Sequence, residues 1–167
     1  MLDSTALKAA AELGIWCQQK NYSIAVAESC TGGGLGYAIS AIAGSSTWFQ
    51  GGIICYSNEA KQHLLQVPEQ MLSEHGAVSA AVAAQLAQQA RLALAADIGV
   101  SVTGIAGPSG GSATKPVGLV WFGLATANGV TTFQRRFEGN RHQVRQQAIM
   151  TGLQQPLIKV PELLKKD

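Results

Sequence analysis

Apolar and polar positions repeat with two different periods along this chain. Residues 4–21, "STALKAAAELGIWCQQKN", place Leu7, Ala11 and Ile15 four apart behind Ser4, which predicts an amphipathic helix capped by Ser4 and ending near Asn21. "YSIAVA" then predicts a short apolar strand. "LGYAISAIA" predicts a second helix that stops at Gly44, and "FQGGIICYS" a buried strand despite its two glycines. Strand, helix and strand in this order predict a βαβ unit with parallel strands and a right-handed crossover.

Ser57 or Asn58 can cap a short helix "EAKQHLL", Pro68 can start the next at "PEQMLSEH", and Gly76 can end it. Ser79 opens a longer helix with an apolar stripe of Val82, Leu86, Ala90 and Leu94, while Gln85, Gln88 and Gln89 lie mainly off it. A third strand, "IGVSVTG", leads into the glycine-rich "IAGPSGGSATKP". The two β-rich runs around Asn128-Gly129 predict an antiparallel hairpin. A last helix is expected from about Asn140 to Gln155, with Lys165-Lys166-Asp167 as a solvated tail.

No internal repeat, charge block or long linker marks a boundary, so residues 1–167 are expected to form a single domain. The expected class is α/β: a three-layer α/β/α domain with a mixed β-sheet covered by helices on both faces. Ligands on such sheets sit outside the carboxyl ends of the parallel strands. Three loops leave strands at that edge: Glu28 to Gly33, Tyr56 to Lys61, and Gly104 to Pro116.

Composition narrows the function classes. Twelve Lys and Arg against ten Asp and Glu give a formal charge of +2, without the cationic excess that neutralises a run of nucleic-acid phosphates. Cys17, Cys30 and Cys55 are odd in number and scattered in apolar surroundings, which fits neither a disulfide framework nor paired zinc ligands and points to a reducing cytoplasm. No apolar segment is long enough to cross a bilayer and none resembles an export signal, so a soluble, cytoplasmic protein is expected.

The chemistry concentrates in the first loop, "AESCTGG". Ser29 stands where a strand turns into a helix, and the N–H groups of the first helical turn could bind the oxyanion formed when a carbonyl is attacked. On this stretch alone, a cap is the better reading than a nucleophile. A serine needs an adjacent base, and His63, His75 and His142 lack any metal-ligand spacing and read as surface or cap residues. Lys61 lies in the first turn of its helix, where the dipole disfavours a cation and partial burial would lower its pKa further; isolated from context, an ordinary exposed helix lysine is the better reading.

Tyr56 could donate to the serine or the oxyanion, or be a partly buried aromatic. Cys30 is a rival nucleophile without a convincing His partner, and is read as a packing residue whose N–H helps bind the oxyanion. "GIAGPSGG" has the glycines of a phosphate cradle but no following Lys-Ser or Lys-Thr, so it is not a P-loop. Lys115 could approach the same ligand, although a solvated loop lysine is the better reading of the local sequence. Arg141 and Arg145, four apart, share a helical face suited to a phosphate or carboxylate, although two arginines on a solvated face would look the same.

Together, "AESCTGG" at 27–33, "GSSTWFQGG" at 44–52, "YSNEAK" at 56–61, "GAVS" at 76–79, "GIAGPSGG" at 104–111, "KPVG" at 115–118 and "GNRHQVR" at 139–145 resemble the nicotinamide-nucleotide amidase family, which includes the C-terminal domain of CinA proteins. The resemblance spans nearly the whole chain and looks like the stand-alone form. It implies hydrolysis of the carboxamide of nicotinamide mononucleotide to nicotinate mononucleotide and ammonia, in pyridine nucleotide recycling. It implies Ser29 as nucleophile, Lys61 as base and Tyr56 as a supporting hydroxyl.

The expected reaction is acyl transfer in two steps, with backbone N–H groups of Cys30, Thr31, Gly32 and Gly33 holding the oxyanion. Arg141, Arg145 and the Gly104–Gly111 loop, including Ala106 and Gly107, would hold the ribose phosphate, with Thr31 and Thr103 as further donors. No metal or organic cofactor is expected. The expected partner is a small-molecule nucleotide, with no nucleic acid and no membrane; a homo-oligomer is left open. Two alternatives stand beside this reading: a non-catalytic nucleotide-binding or regulatory module, and an amidase for a related small amide.

Overall fold

The computed structural model describes residues 3–165, so Lys166 and Asp167 of the expected tail lie outside the described residues. Five strands form one mixed sheet in the order β2-β1-β3-β4-β5: β1 Ile24–Glu28, β2 Phe49–Ile54, β3 Ile98–Gly104, β4 Leu119–Thr126 and β5 Gly129–Arg136. Strands β1, β2 and β3 are parallel, with Val26 opposite both Gly52 and Val100; β4 runs antiparallel to β3, and the edge strand β5 antiparallel to β4. The α/β class and mixed sheet expected from the pattern are what the structure has.

Alternation along the strands assigns the two layers of helices. Ile24 and Val26 of β1, with Val100, Val102 and Phe122, point into the larger core against α1 (Ser4–Lys20), α2 (Gly34–Ser40) and α6 (Arg141–Leu164). Ala27 points the other way, into a smaller core with Leu65 of α3 (Asn58–Leu65), Leu72 of α4 (Glu69–His75), and Val82, Leu86 and Ala90 of α5 (Ala80–Ala93). Helix α5 lies close on the sheet because its floor is small. A β-carbon at Gly99 or Gly123 would collide with the Ala87 or Ala83 carbonyl, and the Ser101 hydroxyl donates to the Ala83 carbonyl at 2.6 Å. Among the described residues, no helix is long and apolar enough to cross a membrane.

Four expectations are corrected. Helix α1 is capped by Asp3, whose carboxylate accepts from the Ala6 N–H at 2.8 Å, and not by Ser4, which is its first residue. The second helix ends at Ser40, with a separate short 3₁₀ turn at Ser45–Thr47 before β2. Strand β2 lies at the sheet edge with alternately half-buried and exposed positions, so it is not a buried strand. Helix α6 continues past Gln155 to Leu164 through Pro156 and Pro161, because Leu153, Pro156, Val160 and Leu163 keep one apolar stripe buried; packing outweighs the local penalty for proline.

The chain leaves β1 toward β2 on one side and leaves β3 toward β4 on the other. The carboxyl ends of β1 and β3 are therefore the topological switch point, where an open α/β sheet leaves a crevice.

Candidate active site

At this crevice the three predicted loops meet. A cavity of about 230 Å³ is lined by Ser29 and Cys30 from the first loop, Tyr56, Asn58 and Lys61 from the second, and Gly104 and Ala106 from the third; Ala77, Val78, Thr103 and Arg141 complete it.

Ser29 extends the β1 ladder by one residue, its N–H donating to the Val102 carbonyl at 2.9 Å. Alternation then turns Glu28 toward α2 and Ser29 toward α3. Ser57 caps α3 by accepting from the Ala60 N–H at 3.0 Å, which starts the helix so that Lys61 falls in its first turn. The Lys61 side chain, 1% exposed, reaches back with Nζ 2.9 Å from Ser29 Oγ, 2.8 Å from the Cys55 carbonyl and 3.2 Å from the Tyr56 carbonyl.

An ammonium would donate to all three oxygens; a neutral amine gives two N–H bonds to the carbonyls, which can only accept, and turns its lone pair to the Ser29 hydroxyl. Among the described residues no carboxylate pairs with Lys61. Burial holds its ammonium below the ordinary lysine range, and the positive end of α3 acts in the same direction. A buried lysine with no counter-charge beside a serine can serve that hydroxyl as a base. Burial pushes the neighbouring Cys30 thiol up to about 12, so this rival is protonated at ordinary pH.

The turn after Ser29 is set by Gly32 and Gly33, at φ of 59° and 94°. Here the geometry corrects the expected oxyanion donors. The Gly32 N–H donates to the Ser29 carbonyl, and the N–H groups of Gly33, Leu35 and Gly36 donate to the Glu28 carboxylate at 3.1, 3.0 and 2.7 Å. The first turn of α2 is thus engaged by a side chain of the protein itself. Among the described residues none accepts from the Cys30 or Thr31 N–H, which leaves these two for a ligand.

The threonines and arginines also have protein partners. The Thr31 hydroxyl donates to Glu28 at 2.5 Å and the Thr103 hydroxyl to the Ala77 carbonyl at 2.9 Å. Arg145 donates to the Cys30 and Thr31 carbonyls, both at 3.1 Å. Arg141 donates to the Gly107 carbonyl and to the Tyr56 hydroxyl, both at 2.9 Å. Tyr56 is 58% exposed, and its hydroxyl keeps its own hydrogen for a ligand.

A second hollow of about 510 Å³, lined by Pro108, Val117, His142 and Arg145 among others, shares Ala106 and Arg141 with the first. Lys115 lies away from it, donating to the His75 carbonyl at the end of α4. His63, His75 and His142 are exposed, and among the described residues no three His, Cys, Asp or Glu side chains cluster as a metal site requires.

Sequence reasoning found all three loops but gave no role at the site to Glu28, Asn58 or the Ala77–Val78 segment. The sequence signal at Glu28 was a carboxylate directly after the apolar run of β1; its burial and its facing α2 come from the structure.

The model of the CinA C-terminal domain matches residues 6–159. The chain belongs to the CinA C-terminal domain family. It is 46% identical over 155 residues to the nicotinamide-nucleotide amidohydrolase PncC of Shigella flexneri, covering 92% of this chain and 94% of that protein. It is 55% identical over 124 residues to a CinA-like protein of Synechococcus, covering 74% of this chain and only 30% of that longer protein. Among solved structures, the competence/damage inducible protein CihA of Agrobacterium tumefaciens superposes with a TM-score of 0.90 at 35% identity, covering 99% of both chains.

Proposed function

We propose that this protein hydrolyses the carboxamide of nicotinamide mononucleotide to nicotinate mononucleotide and ammonia, within pyridine nucleotide recycling. The observation that carries the reading is the buried Lys61 amine 2.9 Å from Ser29 Oγ, held there by two carbonyls that can only accept. The similarity to PncC proteins, whose name states the substrate class, supports it.

In the first step Lys61 Nζ takes the Ser29 proton as Oγ attacks the amide carbon. The oxyanion is held by the Cys30 and Thr31 N–H groups, with the Tyr56 hydroxyl as a further donor. The Lys61 ammonium returns its proton to the amide nitrogen, the C–N bond breaks, and ammonia leaves an ester on Ser29. Water, deprotonated by Lys61, attacks the ester; Ser29 leaves and recovers the proton.

The inner cavity of about 230 Å³ is below the roughly 300–1,000 Å³ of sites for drug-sized ligands. It suits a pyridine carboxamide, with the ribose phosphate passing Arg141 into the outer hollow, where Arg141, Arg145 and the 104–111 loop are assigned the phosphate.

The test is ammonia release from nicotinamide mononucleotide by the purified protein and by Ser29→Ala and Lys61→Ala. Turnover in the wild type and none in either variant is expected. Binding of the nucleotide without ammonia release would support a non-catalytic module instead, and release only from other carboxamides would move the substrate assignment.

A further inference from the structure

The carboxylate of Glu28 has no part in the proton transfers above, yet it is 2% exposed and accepts four hydrogen bonds. All four donors, the Thr31 hydroxyl and the N–H groups of Gly33, Leu35 and Gly36, lie within eight residues after it, in the turn that follows the nucleophile. An acceptor on both oxygens is the behaviour of an ionised carboxylate. From the other side Arg145 binds the Cys30 and Thr31 carbonyls.

A trans peptide points its C=O and N–H in opposite directions. Fixing the Cys30 carbonyl on Arg145 therefore turns the Thr31 N–H away from Arg145 of α6, and the Gly32 N–H bond to the Ser29 carbonyl turns the Cys30 N–H away from Gly32. We propose that Glu28 is a positioning residue for the reaction. With Arg145 it clamps the 30–33 turn so that the Cys30 and Thr31 N–H groups stay aimed at the developing oxyanion. The inference rests on the amidase reading for the step it serves.

It also explains why the helix N-terminus is not itself the oxyanion site. Glu28 occupies that end of α2 and converts it into a rigid support. Such a group acts on the transition state and not on the ground-state complex, so its loss falls on kcat.

The test measures kcat and KM for nicotinamide mononucleotide in Glu28→Gln, which puts an N–H donor where an acceptor is needed, and in Thr31→Val, which removes one of the four donors and keeps the side-chain shape. Losing a single oxyanion donor costs about 100- to 1,000-fold in kcat. Misaiming the donors should cost less: kcat about 10- to 100-fold lower in Glu28→Gln and about 3- to 10-fold lower in Thr31→Val, with KM within about threefold.

A carboxylate with only a structural role would lower the melting temperature and leave kcat within twofold in both folded variants; that result overturns the proposal, as does a loss confined to KM. Should Glu28→Gln fail to fold, Thr31→Val decides. The acylation burst with p-nitrophenyl nicotinate separates the two readings. If the wild type shows the burst but releases no ammonia from the nucleotide, the amidase reading fails, and Glu28 is judged by whether the burst slows in its variants. A wild type without either activity overturns both.

Discussion

Two ionisable side chains are buried back to back at the end of β1, and they are satisfied in opposite ways. Glu28, on the α2 side, meets four hydrogen-bond donors and is compensated as an ion. Lys61, on the α3 side, meets two carbonyls and a hydroxyl, no carboxylate, and is compensated equally well as a neutral amine. Burial favours the neutral form of any ionisable group; four donors offset it at Glu28, whereas at Lys61 no counter-charge among the described residues does, and burial lowers its pKa. One residue of strand pleat separates the carboxylate that holds the turn from the lysine proposed as the base.

The comparison breaks most sharply in the activities of Ser29→Ala and Lys61→Met. Both should lose at least about 1,000-fold in kcat, since a nucleophile and its base act as a unit. Ammonia release in single-turnover assays reads this out, and residual activity within tenfold of wild type would separate the two residues.

Stability should move in the opposite sense for the two buried groups. Glu28→Ala leaves four donors behind, at about 1–3 kcal/mol for each one that water does not reach, and should be destabilised by at least about 3 kcal/mol in urea melts. Lys61→Met should be at least as stable as wild type at pH 7. The sign follows from linkage: Lys61 binds its proton more weakly folded than unfolded, so its contribution is fully present above the unfolded value of 10.5 and is lost as pH falls toward its lowered folded value. The stability difference between Lys61→Met and wild type should therefore widen in favour of the variant as pH falls through that window.

Activity carries the same pKa. The acid limb of kcat/KM should lie below the ordinary lysine range, with activity rising as pH increases through it. A limb at the unperturbed lysine value would contradict the desolvated base. The smallest effect belongs to Cys30. Cys30→Ala should keep kcat within about threefold, because the side chain contributes only packing and its backbone N–H remains. Iodoacetamide should label this thiol slowly, since burial pushes it up to about 12.

The contrast at β1 also marks how far the sequence could be read. Strand β3 at 98–104, the Asn128-Gly129 hairpin and the caps at Ser57 and Ser79 followed from local pattern and turn chemistry, because those signals are decided by neighbours in sequence. Helix α6 beyond Gln155 did not, since the burial that carries it through two prolines belongs to tertiary packing. Nor did the edge position of β2: an apolar run does not say how many neighbours the strand will have.

At the site, the ends of parallel strands pointed to the loops that hold Ser29, Tyr56, Lys61 and residues 104–111, but it was the family resemblance that gave Ser29, Lys61 and Tyr56 their expected roles. Their distances could not, because Ser29 and Lys61 are 32 residues apart. Glu28 escaped because only the pleat reveals that it faces the opposite layer from its neighbour Ser29.

The most direct test is the titration of Lys61 itself, followed by NMR of lysine side-chain resonances in the free protein and assigned with Lys61→Met. The account predicts one lysine that loses its proton well below the usual value of about 10.4, together with the disappearance of that resonance in the variant. A Lys61 side chain that stays an ammonium up to the ordinary lysine range would contradict it.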